Sequence, residues 1–256
     1  MTGKKTRLSL GTKMYIFTIS MVLASVSLVC ALFYIINVGQ IDRFFKQQTI
    51  SNARNFASFV DVDFMKELRA VAESEEYQAL RDKAEAEEDE EAIRRYLEEK
   101  GMWERFEQQQ NLLDTYLNNM DSIKYLYVVA WGGADAEYDM YIMDDKTMPL
   151  YTTGYMEMRE EEFEGIDATD GTIEPVISNG DWGWLCSGYS AVKDEEGNIV
   201  AFVGCDVGMD EVMKERRIFL YYIIMSALLC TAIVLALAIY LVNKIVVRPL
   251  HSITDV

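Results

Sequence analysis

Trp184–Val212 reads WLCSGYSAVKDEEGNIVAFVGCDVGMDEV, and this stretch decides the fold. Two runs rich in β-branched, aromatic and small residues, the first starting near Trp182 and the second at Asn198, flank the polar segment KDEEGN. Acidic residues followed by Gly and Asn between two such runs are typical of a tight hairpin turn. The stretch therefore predicts two antiparallel β-strands late in a domain.

The position of the turn fixes which residues of the two strands oppose each other. A turn centred on Glu195–Glu196 places Tyr189 opposite Phe202 and Cys186 opposite Cys205. Because side chains alternate between the two faces of a strand, this register also predicts which residues share a face. One face then carries Ser187, Tyr189 and Asp206.

The four cysteines divide into two pairs. Cys30 and Cys230 lie in long apolar runs, where cysteine behaves as a small apolar residue. Cys186 and Cys205 are directly opposed in the predicted register, and opposed cysteines on neighbouring strands reach disulfide geometry. The sequence allows a disulfide between them, and the alternative is two buried free thiols.

Upstream of the hairpin the texture changes from helix to strand. From Gly39 to about Met120, apolar residues recur at the three-and-four spacing of amphipathic helices, and Gly101 is a predicted stop. SIKYLYVVAW and EYDMYIMDD then read as two strands, and Lys146–Asp181 is predicted to be irregular. The expected fold class is α+β, with a long N-terminal helix and a late antiparallel sheet.

Two apolar runs frame this domain. Met14–Val38 and Ile218–Asn243 contain no Asp, Glu, Lys or Arg. Each run of about 25 residues gives roughly 37 Å of helix, which exceeds the ~30 Å hydrocarbon core of a bilayer. We predict two transmembrane helices, the first an uncleaved anchor because no small-x-small cleavage pattern ends it.

The cations indicate the orientation of the two helices. Lys4, Lys5, Arg7 and Lys13 precede the first run with no acidic residue among them, and cations also follow the second run. Cytoplasmic flanks collect Lys and Arg, so both termini are predicted to be cytoplasmic and the domain extracytoplasmic. The predicted divisions are the N-terminus (1–13), first span (14–38), sensor domain (39–217), second span (218–243) and C-terminal segment (244–256).

Charge and histidine content exclude several function classes. The net charge is −18, and nearly all the acidic residues lie between the two runs, so the domain repels nucleic acid. The only histidine is His251, which excludes Ser-His-Asp, Cys-His and histidine-ligated zinc sites from the domain. No catalytic site, metal or cofactor is therefore predicted; a two-carboxylate hydrolase stays chemically open.

Three segments of the hairpin resemble Cache domains, the extracytoplasmic PAS-like sensors of bacterial receptors. Ala191–Val192–Lys193–Asp194 matches the end of a strand, Gly197–Asn198–Ile199–Val200 the hairpin, and Gly204–Cys205–Asp206–Val207 the closing G-x-D-[IV] motif. The arrangement of span, long helix, late sheet and second span is also similar to these receptors. The resemblance covers the whole chain in architecture and Trp182–Val212 in sequence.

The C-terminal stretch VVRPLHSITDV resembles the beginning of a HAMP linker. Pro249 suits the first turn of a helix, and Leu250, Ile253 and Val256 follow at helical spacing. The resemblance implies a homodimer and a chain that continues into an output module, such as a histidine kinase of a two-component system, a nucleotide cyclase or a chemotaxis signalling domain. The alternative is a simple amphipathic tail beside the membrane.

The resemblance also implies where a ligand binds, between the sheet and the inserted segment. An Asp at the position of Asp206 often contacts the ligand's amine in this family. The Arg followed by Trp-Tyr that clamps an amino-acid carboxylate is missing, and Lys146 or Arg159 replaces it only in principle. Aromatic residues beside a carboxylate suit an amine or another small cation. The predicted ligand-binding residues are Asp206, Tyr189, Ser187, Trp182, Tyr155 and Tyr151.

The sequence thus predicts the input half of a membrane signal-transduction receptor that senses a small molecule. The alternative is a membrane-anchored protein-interaction domain without a small-molecule ligand.

Overall fold

The computed structural model describes residues 10–132, 136–159 and 161–247. The chain forms two compact units. One is the domain Asp42–Glu211, and the other comprises the helical segments before and after it. Each unit is described below by itself.

Five helices precede the sheet, in agreement with the predicted helical region. Side-chain caps start three of them: Asp61 accepts from the Phe64 amide at 3.0 Å, and Ser74 and Asp89 cap the next two helices in the same way. Gly101, at φ +70°, separates the fourth helix from the fifth, as predicted. The bounds are α1 Leu10–Ala57, α2 Val62–Ala72, α3 Glu75–Glu87, α4 Glu90–Glu99 and α5 Trp103–Asn118.

A six-stranded antiparallel sheet follows, in the order β3-β2-β1-β6-β5-β4. The predicted α+β class with a late sheet is therefore confirmed. A sixth helix, α6, continues from the last strand. The bounds are β1 Ile123–Ala130, β2 Tyr138–Met143, β3 Met156–Met158, β4 Val176–Gly180, β5 Gly183–Lys193, β6 Ile199–Gly208 and α6 Asp210–Val242.

The segment Lys146–Asp181 is more ordered than predicted. It contributes β3 and β4, which form the two edges of the sheet. Both strands are short, and the sequence of β4, VISNG, ends in turn-forming residues, so neither carries a strong alternating pattern. Their pairing comes from the long neighbouring strands β2 and β5.

The two faces of the sheet have different neighbours. The face with Leu126, Val203 and Cys205 packs against α1, α2 and α5 in the main hydrophobic core. The other face carries a smaller aromatic cluster around Tyr127 and Phe202.

The predicted hairpin register is wrong by two residues. Cys186 lies opposite Val207, and Cys205 lies opposite Gly188. One residue of the shift comes from the turn, which has three residues and ends at Gly197 with φ +86°. The second comes from an irregularity next to Val192, where β6 carries one extra residue.

The shift explains the state of the cysteines. Cys186 and Cys205 are buried free thiols, and the direct opposition on which the predicted disulfide depended does not occur. A shift of two residues preserves the face of every side chain, so Ser187 and Asp206 still share one face and are now directly paired.

The two apolar helical segments form the other unit. Within the described residues, Thr12–Ala57 and Asp210–Ile245 are long and apolar enough to cross a membrane. They contact each other: the Tyr15 hydroxyl donates to Asn243 Oδ1 at 2.5 Å, and the rings of Phe33 and Phe219 are 5.9 Å apart. The HAMP-like residues Pro249, Leu250, Ile253 and Val256 and the cations Lys4, Lys5 and Arg7 lie outside the described residues.

Candidate ligand-binding site

A cavity of about 230 Å³ lies on the sheet face that points away from the main core. Its walls come from all the strands except β4 and from the chain around them. Aromatic rings dominate the surface. The eight aromatic residues are Tyr125, Tyr127, Trp131, Tyr141, Tyr155, Phe163, Trp182 and Tyr189.

Strand alternation supplies these rings. Tyr125, Tyr127, Val129 and Trp131 all line the cavity from β1 and its end, while Leu126 between them points into the core. Rings from different parts of the cavity wall then meet edge to face. The Trp131 and Tyr189 centroids are 5.1 Å apart, and those of Phe163 and Tyr189 are 5.5 Å apart.

Asp206 lies at one side of the cavity in a hydroxyl network. The Tyr127 hydroxyl donates to Asp206 Oδ1 at 3.4 Å and lies 3.1 Å from the Tyr189 hydroxyl. Burial raises the pKa of Tyr127 well above its ordinary value, with Asp206 adding to the shift. The phenol therefore remains protonated and can donate to the carboxylate at neutral pH.

Gly204 allows the Tyr127 ring to lie against the sheet. The two residues are directly opposed on β6 and β1, and a Cβ at Gly204 would overlap the ring. The glycine of the G-x-D motif thus has a structural reason here, since it makes room for the cavity floor next to Asp206.

Three further carboxyl groups line the cavity, those of Asp139, Asp144 and Glu157. Burial raises the pKa of Asp144 to about 7, and the nearby carboxylates of Asp145, Asp206 and Glu157 add to the shift, while the Asp145 amide opposes it. Burial is the main cause of the raised pKa of Tyr141, and Glu157 adds to that shift. The acidic character of the cavity therefore extends from β6 to β3.

Arg159 is the one cation among the lining residues that the structure describes. Its guanidinium binds Asp139 through Nε at 2.8 Å and through Nη2 at 2.6 Å, and it lies 4.4 Å from the Trp131 ring centroid. The Gly132 amide donates to the same carboxylate at 2.7 Å. Arg159 is thus already committed to a bidentate ion pair and a cation–π contact.

The structure brings five of the six predicted site residues together. Asp206, Ser187, Tyr189, Tyr155 and Trp182 line the cavity. The sixth, Tyr151, packs at the edge of the main core instead.

The two candidate cation substitutes also separate. Arg159 lines the cavity, whereas Lys146 is exposed and pairs with Asp114 at 3.9 Å. Lys146 is therefore no substitute for the missing carboxylate clamp.

Several lining residues were not predicted from the sequence. Those that matter most lie on β1, β2 and β3 or directly after them, away from the stretch that carried the resemblance. Alternation within YLYVVAW does indicate that Tyr125 and Tyr127 share a face, but it does not say which face is open. The missed residues that matter most are Tyr127, Tyr141, Trp131, Asp144 and Glu157.

The cysteines and acidic clusters form no second site. Burial raises the pKa of both Cys186 and Cys205, and Cys205 lies on the core face of the sheet. Both thiols are thus poor nucleophiles. Over the ranges that the structure covers, no group of His, Cys, Asp and Glu side chains is arranged to hold a metal ion.

No protein-family model matches the chain, and no curated protein matches it. Among solved structures, the ligand-binding domain of the Campylobacter jejuni chemoreceptor Tlp3, in complex with L-valine, is similar with a TM-score of 0.30 and 12% sequence identity. The match covers 80% of this chain and 66% of that chain, slightly less than two thirds of its length. A similarity at this level does not bear on which ligand this chain binds.

Proposed function

We propose that the chain is the input part of a membrane receptor, and that its domain Asp42–Glu211 binds a small organic cation in the aromatic cavity. The observation that supports this most is the charge of the lining: four carboxyl groups against one guanidinium, which is already paired with Asp139. An anionic ligand would be repelled, whereas a cation is attracted both by the carboxylates and by the ring faces.

The geometry suits binding rather than turnover. The carboxyl groups that face the cavity are held by tyrosine hydroxyls or by backbone amides, as for Asp206 and Asp144. Aromatic side chains exclude water around a cation and strengthen its pairing with a carboxylate. We therefore propose a sensor without a catalytic site in this domain.

The topology of the proposed receptor follows the sequence. The domain is extracytoplasmic, the two apolar helices span the cell membrane, and both termini are cytoplasmic. The C-terminal segment begins a HAMP linker in a homodimer and leads to an output module. Lys13 and Lys244 at the ends of the apolar segments support this orientation.

The chain path supports coupling between the cavity and the start of α6. Asp206 lies near the end of β6, and α6 begins at Asp210. Asp210 Oδ1 accepts from the Trp184 amide at 3.2 Å, and the Met209 amide donates to the Trp184 carbonyl at 2.8 Å. A ligand that binds two arrangements of β5 and β6 with different affinities would shift the population of the helix start.

A binding experiment on the full chain tests the proposal. The chain is reconstituted in nanodiscs and titrated with primary alkylamines and with the matching carboxylic acids. An amine at 100 times its Kd should stabilise the domain by about 2.7 kcal/mol in thermal unfolding, and the acids should not. Asp206→Asn should weaken amine binding at least tenfold, while Asp121→Asn, an exposed carboxylate outside the cavity, should not change it.

If amines and acids bind equally, or if neither binds, the proposed cation sensor is wrong. The second candidate, an interaction domain, would then gain weight, because large apolar side chains are exposed at the cavity mouth. Met158 is 67% exposed and Trp182 is 50% exposed. In such a domain, Met158→Lys should abolish binding of the protein partner. Amines should have no effect on the domain with or without this substitution.

A further inference from the structure

The carboxyl groups of the cavity lie on opposite sides of its floor. Asp206 is on β6 and Glu157 is on β3, with β1 and β2 between them. At about 4.8 Å per strand, the two backbones are separated by about 14 Å, which the reach of the two side chains shortens. Both side chains nevertheless line the same cavity.

Two tyrosines form the floor between the carboxylates. The Tyr127 hydroxyl donates to Asp206, and Glu157 adds to the raised pKa of Tyr141. The two rings lie side by side on β1 and β2, with centroids 5.2 Å apart. The surface between the carboxylates therefore consists largely of aromatic rings, over which an apolar chain can pack.

The charge of this floor exceeds what one positive charge can neutralise. Arg159 forms an ion pair with Asp139, and the lining carries three more carboxyl groups than guanidinium groups. Asp206 and Glu157 each add to the raised pKa of Asp144, so the fields of both carboxylates reach this side chain. A single cation at Asp206 would leave the Glu157 side of the cavity negative.

Resting on the proposed function, we propose that the ligand is a dication: two ammonium groups joined by an apolar chain. One ammonium group pairs with Asp206, with Asp144 beside it, and the other pairs with Glu157. The connecting methylene groups lie over the rings of Tyr127 and Tyr141. A terminal carboxylate in place of the second ammonium group would face Glu157 and be rejected.

This pairing is tested by varying the ligand and the protein together, as in a double-mutant cycle. Calorimetric titration of the full chain in nanodiscs compares a graded series of α,ω-diaminoalkanes with monoamines of the same chain length and with the ω-amino acids. Because a charge-assisted hydrogen bond contributes about 1.5–3 kcal/mol, the best diamine should bind about tenfold tighter than its monoamine, or better. The ω-amino acid should bind more weakly than the monoamine.

Glu157→Gln should abolish the advantage of the diamine and weaken the monoamine much less than Asp206→Asn does. Asp206→Asn should weaken both ligands, because it removes the pairing that they share. Glu157→Asp, which shortens the side chain by one methylene group, should move the optimum to a longer diamine. Glu161→Gln, an exposed position on the same segment, is the matched control.

The outcomes separate the two proposals. If monoamines bind and require Asp206, but diamines gain nothing, the dication inference fails and the cation sensor stands. If Glu157→Gln weakens both ligands equally while the thermal unfolding midpoint is unchanged, the second ammonium site is not at Glu157, and the inference also fails. If no amine binds at all, both proposals fail.

Discussion

The two faces of the same sheet perform different tasks with the same strands. On β1, Leu126 and Val128 are buried against the helices, and their neighbours Tyr125 and Tyr127 line the cavity. The core face is aliphatic and filled, whereas the cavity face is aromatic, acidic and partly open. The difference teaches that alternation along a strand separates stability from recognition at a spacing of a single residue.

The largest test of this contrast is a truncation on the core face. Leu126 is fully buried, so Leu126→Ala should lower the free energy of unfolding by about 2–5 kcal/mol through lost burial and a new void. Tyr125→Phe, one residue away on the cavity face, should change it by less than about 0.5 kcal/mol. Urea unfolding followed by far-UV circular dichroism measures both, and equal losses would contradict the division of the faces.

Two glycines allow a sharper comparison, because each makes room for a close contact on one face of the sheet. A Cβ at Gly188, on the core face, would lie 2.7 Å from Thr49 Cγ2 and 3.3 Å from the Ile50 amide nitrogen. Gly188→Ala should therefore destabilise the domain by about 1–3 kcal/mol. Thr49→Ser removes the crowded methyl group, so the double variant should recover part of the loss.

On the other face, Gly204→Ala should displace the Tyr127 ring from the cavity floor. Its distinguishing effect is on amine affinity, which should fall at least tenfold, whereas Gly188→Ala should leave the affinity nearly unchanged in the folded fraction. Calorimetry on both variants decides. Loss of binding in Gly188→Ala alone would reverse the assignment of the two faces.

The last expected effect is a pH dependence of the stability of the domain without ligand. The pKa of Asp144 rises from 3.8 in the unfolded chain to about 7 in the folded domain, chiefly because of burial. Between these values the folded state holds a proton that the unfolded state has lost, so stability falls as the pH rises from about 4 to about 7.

Asp144→Asn removes the titrating carboxyl group, so the variant should gain about 2–3 kcal/mol relative to the original chain as the pH rises from 5 to 8. Thermal unfolding at a series of pH values measures the difference, with Asp121→Asn as an exposed control. A stability difference that is independent of pH would show that Asp144 is ionised in the folded domain throughout this range.

From the sequence it was possible to predict the sheet face of each hairpin residue, but not the residue opposite it on the neighbouring strand. Side-chain alternation is local, so Ser187, Tyr189 and Asp206 were correctly expected on one face. The opposing partner depends on turn length and bulges, and nothing in KDEEGN announces the extra residue near Val192. The predicted opposition of Cys186 and Cys205 depended on the exact register, and it was therefore wrong.

The opposite side of the cavity could not be derived from the hairpin. Glu157 and Tyr141 line the same cavity as Asp206 only because the strand order places β3 and β2 on one side of β1. That order is a property of the whole sheet, and the three-residue strand β3 is too short to show a pattern. Tyr151, which follows a proline in the same region, lies at the core edge because Leu150–Thr152 forms a short helical turn.

The three-residue turn and the extra residue on β6 preserve the site only when both are present. Each alone changes the hairpin by an odd step, which would turn Asp206 toward the helices and Cys205 toward the cavity. Together they restore an even step and leave the cavity intact. In descendants of this chain, insertions and deletions near Asp194–Val200 should therefore occur in compensating pairs. A descendant that keeps only the turn or only the extra residue should lose the site, although all the lining residues are still in its sequence.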